Sequence, residues 1–376
     1  MLLVLVLVLV IFCQPHSYTQ ESPLVKGQFS TFINYSSENN LPVLTGARYI
    51  PQLNLNFPFI NNLLDFEFSA NLNGMAGFSG TDSSYTDGRI KPYRIWVRYS
   101  NEQFEIRAGL QKMNYGSASM LRPLMWFDRV DPRDPLQLTE GVWGLLGRYY
   151  FLDNTNIWLW ALYGNEDEKT WEISKTNSAK PEFGGRIQLS LFGGEAGISY
   201  HYRKTDMSGL SPQWINLNEV SENRFGIDGK WDVEAGLWFE AAVIKREANL
   251  GLLSSQEMIC AGTDYTFDYG NGLNVIAEHL LAGADSVPLR FLNTRSFTAL
   301  SASYPVDIFD RVSGIAYYDW KGKEVYTFAN WQMTWDNISL NLIAFFNPEI
   351  SNLPQANDKM NLMGGIGVQI VFVYNH

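Results

Sequence analysis

The chain has 376 residues, of which 46% are hydrophobic and 14% aromatic, and it carries a formal net charge of -11 with a pI near 4.9. This acidic balance argues against nucleic acid as a partner, because phosphate backbones attract basic surfaces. The length would suit two ordinary domains, but there is no Pro- or Ser-rich linker and no sustained helical period, so one large closed sheet fits better.

The N-terminal segment has the character of an export signal. Residues 2–12 form an unbroken apolar run that is too short to span a bilayer as a helix. The polar residues 14–17 follow it, as in a secretory signal peptide. We therefore expect residues 1–19 to be a signal peptide cleaved after Thr19, and residues 20–376 to form one β-barrel domain.

From residue 25 onward, apolar and polar residues alternate with the period of two that a β-strand produces. The apolar faces of three early segments comprise Val25, Gly27, Phe29, Thr31, Ile33 and Tyr35; Leu64, Phe66, Phe68, Ala70 and Leu72; and Tyr93, Ile95, Val97 and Tyr99. In a soluble barrel the polar face would point outward around an apolar core, whereas in a membrane barrel it points into a wet lumen. Alternation alone leaves both readings open.

The links between these segments alternate between short and long. The short ones, rich in Gly, Asn and Asp as tight turns are, are Phe57 to Leu63, Ser100 to Phe104, Phe151 to Ile157, Phe192 to Glu195, Asp232 to Ala235, Tyr269 to Leu273 and Trp335 to Ile338. The long ones are Ser36 to Gly46, Gly74 to Arg89, Lys112 to Glu140, Gly164 to Lys180, Thr205 to Ser221, Gly283 to Asn293 and Pro348 to Lys359. This asymmetry is typical of outer-membrane barrels, whose turns are periplasmic and whose loops are extracellular. The short Lys321 to Glu324 link is an exception.

The polar face of the strands carries charged residues of both signs. Basic candidates for the pore lining are Arg94, Arg98, Arg107, Arg148, Arg186 and Arg203. Acidic candidates for the opposite wall are Asp228, Glu240, Asp264, Asp268 and Glu278. Opposed walls would set up a field across the pore, and a basic strip favours anionic solutes. The alternative is that the arginines are paired structurally inside a wet barrel.

The link from Lys112 to Glu140 is the strongest local motif. Between its charged ends, Lys112 and Glu140, its charged residues are Arg122, Asp128, Arg129, Asp131, Arg133 and Asp134. Prolines stiffen this link, and its alternating Asp and Arg residues would be costly to bury unpaired. It is the third long loop by count, and the third loop of general porins narrows the channel. We therefore predict a constriction loop, with an external loop closed by its own ion pairs as the alternative.

Catalytic signals are weak. The four histidines are scattered, and Cys260 would be the only cysteine of the mature chain, so no clustered metal-ligand spacing and no intrachain disulfide is expected. Ser199 and His201 share the lumen face, but residues two apart on a strand do so by geometry alone. We assign no catalytic residue, no metal ligand and no cofactor.

Two stretches resemble known families. In the last strand Ile366, Val368, Ile370, Phe372 and Tyr374 share an apolar face, and Gly365, Gly367 and Gln369 lie opposite. This strand resembles the terminal strand of Gram-negative outer-membrane β-barrels, although Asn375 and His376 follow its last aromatic. The stretch Arg107 to Gln111, continued by Asn114-Tyr115-Gly116 and Asp131-Pro132, is similar to alginate-export-type porins over about a tenth of the chain. That similarity implies passage of anionic saccharides or similar solutes.

Together these features predict an all-β fold, a transmembrane antiparallel up-and-down β-barrel of roughly 16–18 strands in the outer membrane of a Gram-negative-type bacterium. We expect a passive porin or export channel for small polar, anionic, saccharide-like solutes rather than an enzyme. Its partners would be outer-membrane lipid, the barrel-assembly machinery and the solutes, and a homo-oligomer is compatible with this reading. The alternative is a structural, assembly or saccharide-binding barrel without an open channel.

Overall fold

A computed structural model of the chain describes residues 25–59, 62–80, 83–208, 219–349, 353 and 363–376. The predicted signal peptide lies outside these residues. The strands are β1 (Val25–Ser36), β2 (Val43–Phe59), β3 (Asn62–Ser79), β4 (Ser83–Ser100), β5 (Phe104–Gln111), β6 (Val142–Tyr150), β7 (Asn156–Leu162), β8 (Glu182–Leu191), β9 (Gly194–Asp206), β10 (Glu219–Val233), β11 (Ala235–Arg246), β12 (Ser255–Phe267), β13 (Leu273–Asp285), β14 (Thr294–Pro305), β15 (Asp310–Asp319), β16 (Glu324–Trp335), β17 (Ile338–Asn347) and β18 (Gly365–Asn375). A 3₁₀ turn, Gly251–Leu253, lies between β11 and β12. In the described ranges no helix is long and apolar enough to cross a bilayer.

The 18 strands form one closed antiparallel sheet. Each strand pairs with its neighbours in sequence, and β18 pairs with β1 in a register that sets Thr31 opposite Phe372. His376 extends this ladder by exchanging two backbone hydrogen bonds with Gly27, of 2.9 and 3.0 Å. Closure leaves no unpaired sheet edge, which is the condition for a β-structure in lipid. The predicted antiparallel up-and-down barrel is confirmed, at the upper end of the predicted strand range.

The two faces of the barrel differ as the alternation predicts. Ile33 and Ile198 point outward and are 59% and 65% exposed, whereas their neighbours Asn34 and Ser199 point inward and are buried. Aromatic rings pair near strand ends, as Tyr149 and Phe151, Tyr265 and Phe267, and Tyr318 and Trp320 do with centroids 4.7 to 4.9 Å apart. An apolar outer band bounded by aromatic residues is the surface that a lipid bilayer requires.

The connections follow the predicted alternation with one correction. All seven predicted short turns join strands at one end of the barrel. The segment from Gly74 to Arg89 was predicted as a long loop, and this is wrong, because β3 and β4 continue pairing from Gly74 opposite Gly88 to Ser79 opposite Ser83. The glycines there extend the hairpin instead of ending it. Parts of the predicted loops at 205–221 and 348–359 lie outside the described residues.

Candidate functional site

The link between β5 and β6, residues 112–141, folds into the lumen, and we call it the constriction loop. Near its tip the backbone N–H groups of Ala118 and Leu124 donate to the Glu240 carboxylate of β11 at 2.8 and 3.0 Å. The N–H groups of Ser119, Met120 and Leu121 donate to the Glu278 carboxylate of β13, at 2.6, 2.9 and 2.6 Å. Since β11 and β13 lie six and eight strands from β5, the loop crosses the barrel.

The first half of the loop forms an apolar core inside the barrel. Leu121, Trp126 and Phe127 are almost completely buried. Phe127 packs edge-on against Trp160 of β7, with ring centroids 5.4 Å apart. Burying a large apolar side chain contributes roughly 1.5–3 kcal/mol, so this packing holds the loop in place. The wall residues of the core are Val142, Leu146, Trp160, Leu162, Trp238, Ala242, Ile244, Met258, Cys260, Leu280, Phe297, Ala299, Tyr317 and Tyr326.

Sequence reasoning missed this core, although a signal for it exists. In β7 the run Trp158-Leu159-Trp160-Ala161-Leu162 is apolar at every position, so both faces of the strand are apolar. A strand that is apolar on both faces is buried on both faces. In a membrane barrel, one face meets lipid and the other must then meet protein inside the lumen.

A second loop braces the constriction loop. In the link between β7 and β8, Trp171 Nε1 donates to the backbone carbonyl of Arg122 at 2.6 Å. Lys169 Nζ lies 2.7 Å from Oε2 of Glu140. The Glu172 carboxylate of the same link binds two buried arginines of the wall, on β9 and β10, at 3.0 and 2.7 Å. The brace joins the constriction loop to the wall at β9 and β10.

Most charged residues of the constriction loop have partners within it. Arg133 binds the Asp131 carboxylate through Nε and Nη2, at 2.9 and 2.7 Å. Arg122 donates to the Asn114 side chain. The Asp134 carboxylate accepts the N–H of Leu136 at 2.9 Å.

Asp128 is buried at the base of the loop. Its Oδ1 accepts the backbone N–H groups of Glu140 and Arg129, at 2.6 and 2.9 Å. Burial raises the pKa of the Asp128 carboxyl above its ordinary value, and these two N–H groups offset only part of the shift. Burial raises the pKa of Asp134 in the same way.

Two of the six predicted pore-lining arginines are buried behind the loop. Arg186 binds Asp228 through two contacts of 2.5 and 2.9 Å. Arg203 binds Glu222 at 2.6 Å and is completely buried. They are therefore structural, and the prediction that they line the passage is corrected.

The predicted acidic wall is also corrected. Asp228 is neutralised by Arg186, and Glu240 and Glu278 are occupied by loop N–H groups. Asp268 lies beyond the end of β12, in the turn to β13. These partners are remote in sequence, which is why alternation could not reveal them. The barrel therefore does not present a free acidic wall opposite a basic wall.

Three other predicted arginines cluster at the short-turn end of the barrel around one carboxylate, that of Glu105. Arg98, Arg107 and Arg148 lie 3.7, 3.1 and 3.6 Å from its oxygens. Arg98 binds a second carboxylate more closely, that of Asp65, through Nε and Nη2 at 2.9 and 2.6 Å. Arg148 also stacks over the Trp158 ring, at 3.8 Å from the centroid. These side chains are 14–27% exposed, so they retain contact with the lumen.

A cavity of about 670 Å³ remains between the second half of the constriction loop and the wall formed by β1 to β5 and β18. Its basic residues are Arg48, Lys91, Arg94, Arg129, Arg133 and Lys169, and its acidic residues are Asp131, Asp134, Glu140, Glu166 and Asp167. Lys91, Arg133 and Lys169 are paired with three of these carboxylates.

The other three basic residues of the cavity are Arg48, Arg94 and Arg129. In the described part of the chain, no salt bridge of 4 Å or less involves them. Arg94 donates to the carbonyl and hydroxyl of Thr139 in the loop. Sequence reasoning missed Arg48, whose place on the lumen face follows from its alternation with Ala47 and Tyr49 in β2.

The Ser199 and His201 pair does not form a nucleophilic site. The Ser199 hydroxyl accepts a hydrogen bond from Arg186 at 3.0 Å. His201 Nδ1 accepts the Trp160 indole N–H at 3.2 Å, and its Nε2 faces Glu182 at 3.2 Å. Among the described residues, no group of three or more His, Cys, Asp and Glu is placed to hold a metal ion.

The fold is similar to solved structures of bacterial proteins. OccAB1 of Acinetobacter baumannii matches with a TM-score of 0.57 and 9% identity, over 94% of this chain and 95% of that one. OccD3 of Pseudomonas aeruginosa matches with a TM-score of 0.57 and 9% identity, over 93% and 91%, and OccK10 of the same species with 0.56 and 11%, over 95% and 99%. No protein-family profile and no curated protein matches the chain. At this identity the likeness establishes the fold, and the predicted porin-type barrel is confirmed at that level.

Proposed function

We propose that this protein is a passive outer-membrane channel for small polar solutes, narrowed by its constriction loop. The observation that carries the proposal is the polar cavity of about 670 Å³ between that loop and the wall of an 18-stranded closed barrel. Barrels of 16–18 strands leave an aqueous channel, whereas an 8-stranded barrel is filled by its own side chains. The apolar outer band supports placement in a membrane, and the cleaved signal peptide of residues 1–19 is part of the same proposal.

We further propose a preference for anionic solutes. Among the described residues, Arg48, Arg94 and Arg129 form no salt bridge of 4 Å or less, and the cavity is lined by six basic and five acidic side chains. Charge at a narrow passage acts through a lower effective dielectric than charge at an open mouth, so a few guanidinium groups can dominate selectivity. The arginines around Glu105 extend the basic character toward the short-turn end. Anionic saccharides remain one solute class of this kind.

The reversal potential of the purified protein in a salt gradient tests this function. The wild-type channel should favour anions, and reversing Arg94 and Arg129 to Glu should move the reversal potential toward cations. The shift should shrink at high salt, because the screening length falls from about 10 Å at 0.1 M to about 3 Å at 1 M. Lys245→Glu, a single charge reversal at an exposed lysine on the outer face of β11, is the control for each single reversal, Arg94→Glu and Arg129→Glu, and should have little effect. A cation-selective wild type would contradict the preference.

The apolar core within the lumen favours a second candidate, a plugged structural or saccharide-binding barrel. Such a protein would fold and insert but would give no ion current. Planar-bilayer recording separates it from the channel.

A further inference from the structure

Glu240 and Glu278 are buried wall carboxylates that meet the backbone of the constriction loop. Five amides of residues 118–124 donate to them, two to Glu240 and three to Glu278. Trp238 Nε1 adds a further donor to Glu278 at 3.1 Å. Within the described ranges, neither carboxylate takes part in a salt bridge with a Lys, Arg or His. The backbone of the loop is thus their principal partner.

We propose that Glu240 and Glu278 are positioning residues that fix the aperture of the channel by holding the constriction loop against β11 and β13. The inference rests on the proposed channel function. Hydrogen bonds from N–H groups to a charged acceptor are about twice as strong as neutral ones. Several such hydrogen bonds to the fixed oxygens of two carboxylates define one position for the loop tip. Apolar packing alone does not define one position, because it is non-directional.

The backbone before the tip is built for close approach to this carboxylate pair. Gly116 has a φ of +95°, which residues with a side chain rarely adopt. A β-carbon at this position would lie 2.3 Å from Oε1 of Glu240. A glycine is therefore required both by the backbone angle and by the space next to Glu240.

The position of the tip is transmitted to the cavity through the loop itself. The held segment 118–124 is separated by only four residues from the segment 129–141, which contributes Arg129 and nine other residues to the cavity lining. The brace from the β7–β8 link meets the loop at Arg122, Asp128 and Glu140. When the tip is released, the brace and the non-directional apolar packing are left to restrain the segment that narrows the passage. The passage should then widen and fluctuate.

We call the contacts of residues 118–124 with Glu240 and Glu278 the latch. Thiol labelling tests the latch without requiring ion current. In a Cys260→Ala background, Ala118→Cys places the single cysteine of the barrel at the buried loop tip, where a membrane-impermeant maleimide should react slowly. Adding Glu240→Gln and Glu278→Gln together should raise the labelling rate about tenfold or more, since each replaces a carboxyl group that accepts through both oxygens by an amide that has one acceptor oxygen. Glu278→Asp, which keeps both acceptor oxygens, should label more slowly than Glu278→Gln.

Asp264→Asn is the matched control, because Asp264 is a lumen-facing carboxylate of β12 that lies beside Gly236 rather than the loop. It should leave labelling unchanged. Equal labelling of the double Gln variant and the parent, in barrels that still show a heat-modifiable band, would overturn the latch. If Asp264→Asn accelerated labelling by the same factor, the latch would also be overturned, because the effect would then come from the loss of charge alone.

Single-channel recording completes the test and separates the two proposals. The double Gln variant should show larger conductance and more open-channel noise than its parent. If labelling accelerates but no barrel conducts, the latch stands and the channel function fails. If the parent conducts and the double Gln variant neither labels faster nor conducts differently, the channel function stands and the latch fails.

Discussion

At the residue scale, the two faces of β8 give a direct test of the lipid-facing surface. Ile187 lies near the middle of the strand and is 47% exposed on the outer face. Arginine there should lower the free energy of unfolding by about 2–4 kcal/mol, as a cation facing the bilayer midplane does. Gln188, the next residue, faces the lumen and binds Glu195 at 2.6 Å. Gln188→Arg should cost little, and urea unfolding in lipid vesicles compares the two. Equal costs would mean that the two faces are assigned wrongly.

Single residues also mark the limit of sequence reasoning. The period of two places all six predicted arginines on the lumen face of their strands, because alternation is a local property of a strand. It could not show which of them remain free. Arg186 is neutralised by Asp228, 42 positions further along the chain. Likewise Glu240 and Glu278 look like pore charges in sequence and serve as acceptors for the loop only because the loop crosses the lumen.

At the element scale, the constriction loop should respond to pH through Asp128. Its pKa is raised by burial, so the packed loop binds this proton more tightly than a solvated chain does. Ionisation of Asp128 in the folded protein therefore lowers the free energy of unfolding. This loss is absent when the pH is below the ordinary Asp pKa of about 3.9, and it is complete when the pH is above the raised pKa. Asp128→Asn keeps an oxygen acceptor and removes the charge.

The free energies of unfolding of wild type and Asp128→Asn should differ by an amount that depends on pH. Relative to wild type, Asp128→Asn should be more stable at neutral pH, and this advantage should disappear as the pH falls into the ordinary Asp range. Urea unfolding midpoints measured across that range provide the comparison, and the shared titration of other groups cancels. An advantage that grows in acid would contradict a raised pKa for Asp128 in the folded protein.

Elements differed in how well sequence could define them. The turns and the long loop at 112–141 were predictable, since Gly, Asn, Asp and Pro act locally. The extension of β3 and β4 to Ser79 and Ser83 was not, because Gly74, Gly77 and Gly88 look like strand ends and are held in the ladder by cross-strand pairing. Such pairing is non-local and depends on the partner strand.

At the scale of the whole molecule, the protein is a closed 18-stranded barrel whose lumen is divided. One side is filled by the apolar core of the constriction loop, and the other keeps the polar cavity along β1 to β5 and β18. The barrel followed from sequence because its alternation is repeated along the strands. The division of the lumen could not be predicted from sequence, because it depends on contacts between the constriction loop and strands across the barrel.

The most direct measurement is single-channel conductance of the wild type and of a variant lacking Leu121 to Pro135. The wild type should give discrete current steps, and the deletion should give larger ones, because the loop that narrows the passage is removed. Heat-modifiable migration in gels verifies that both barrels are folded. Absence of current steps from both folded barrels, or identical conductance of the two, would contradict a channel whose size is set by this loop.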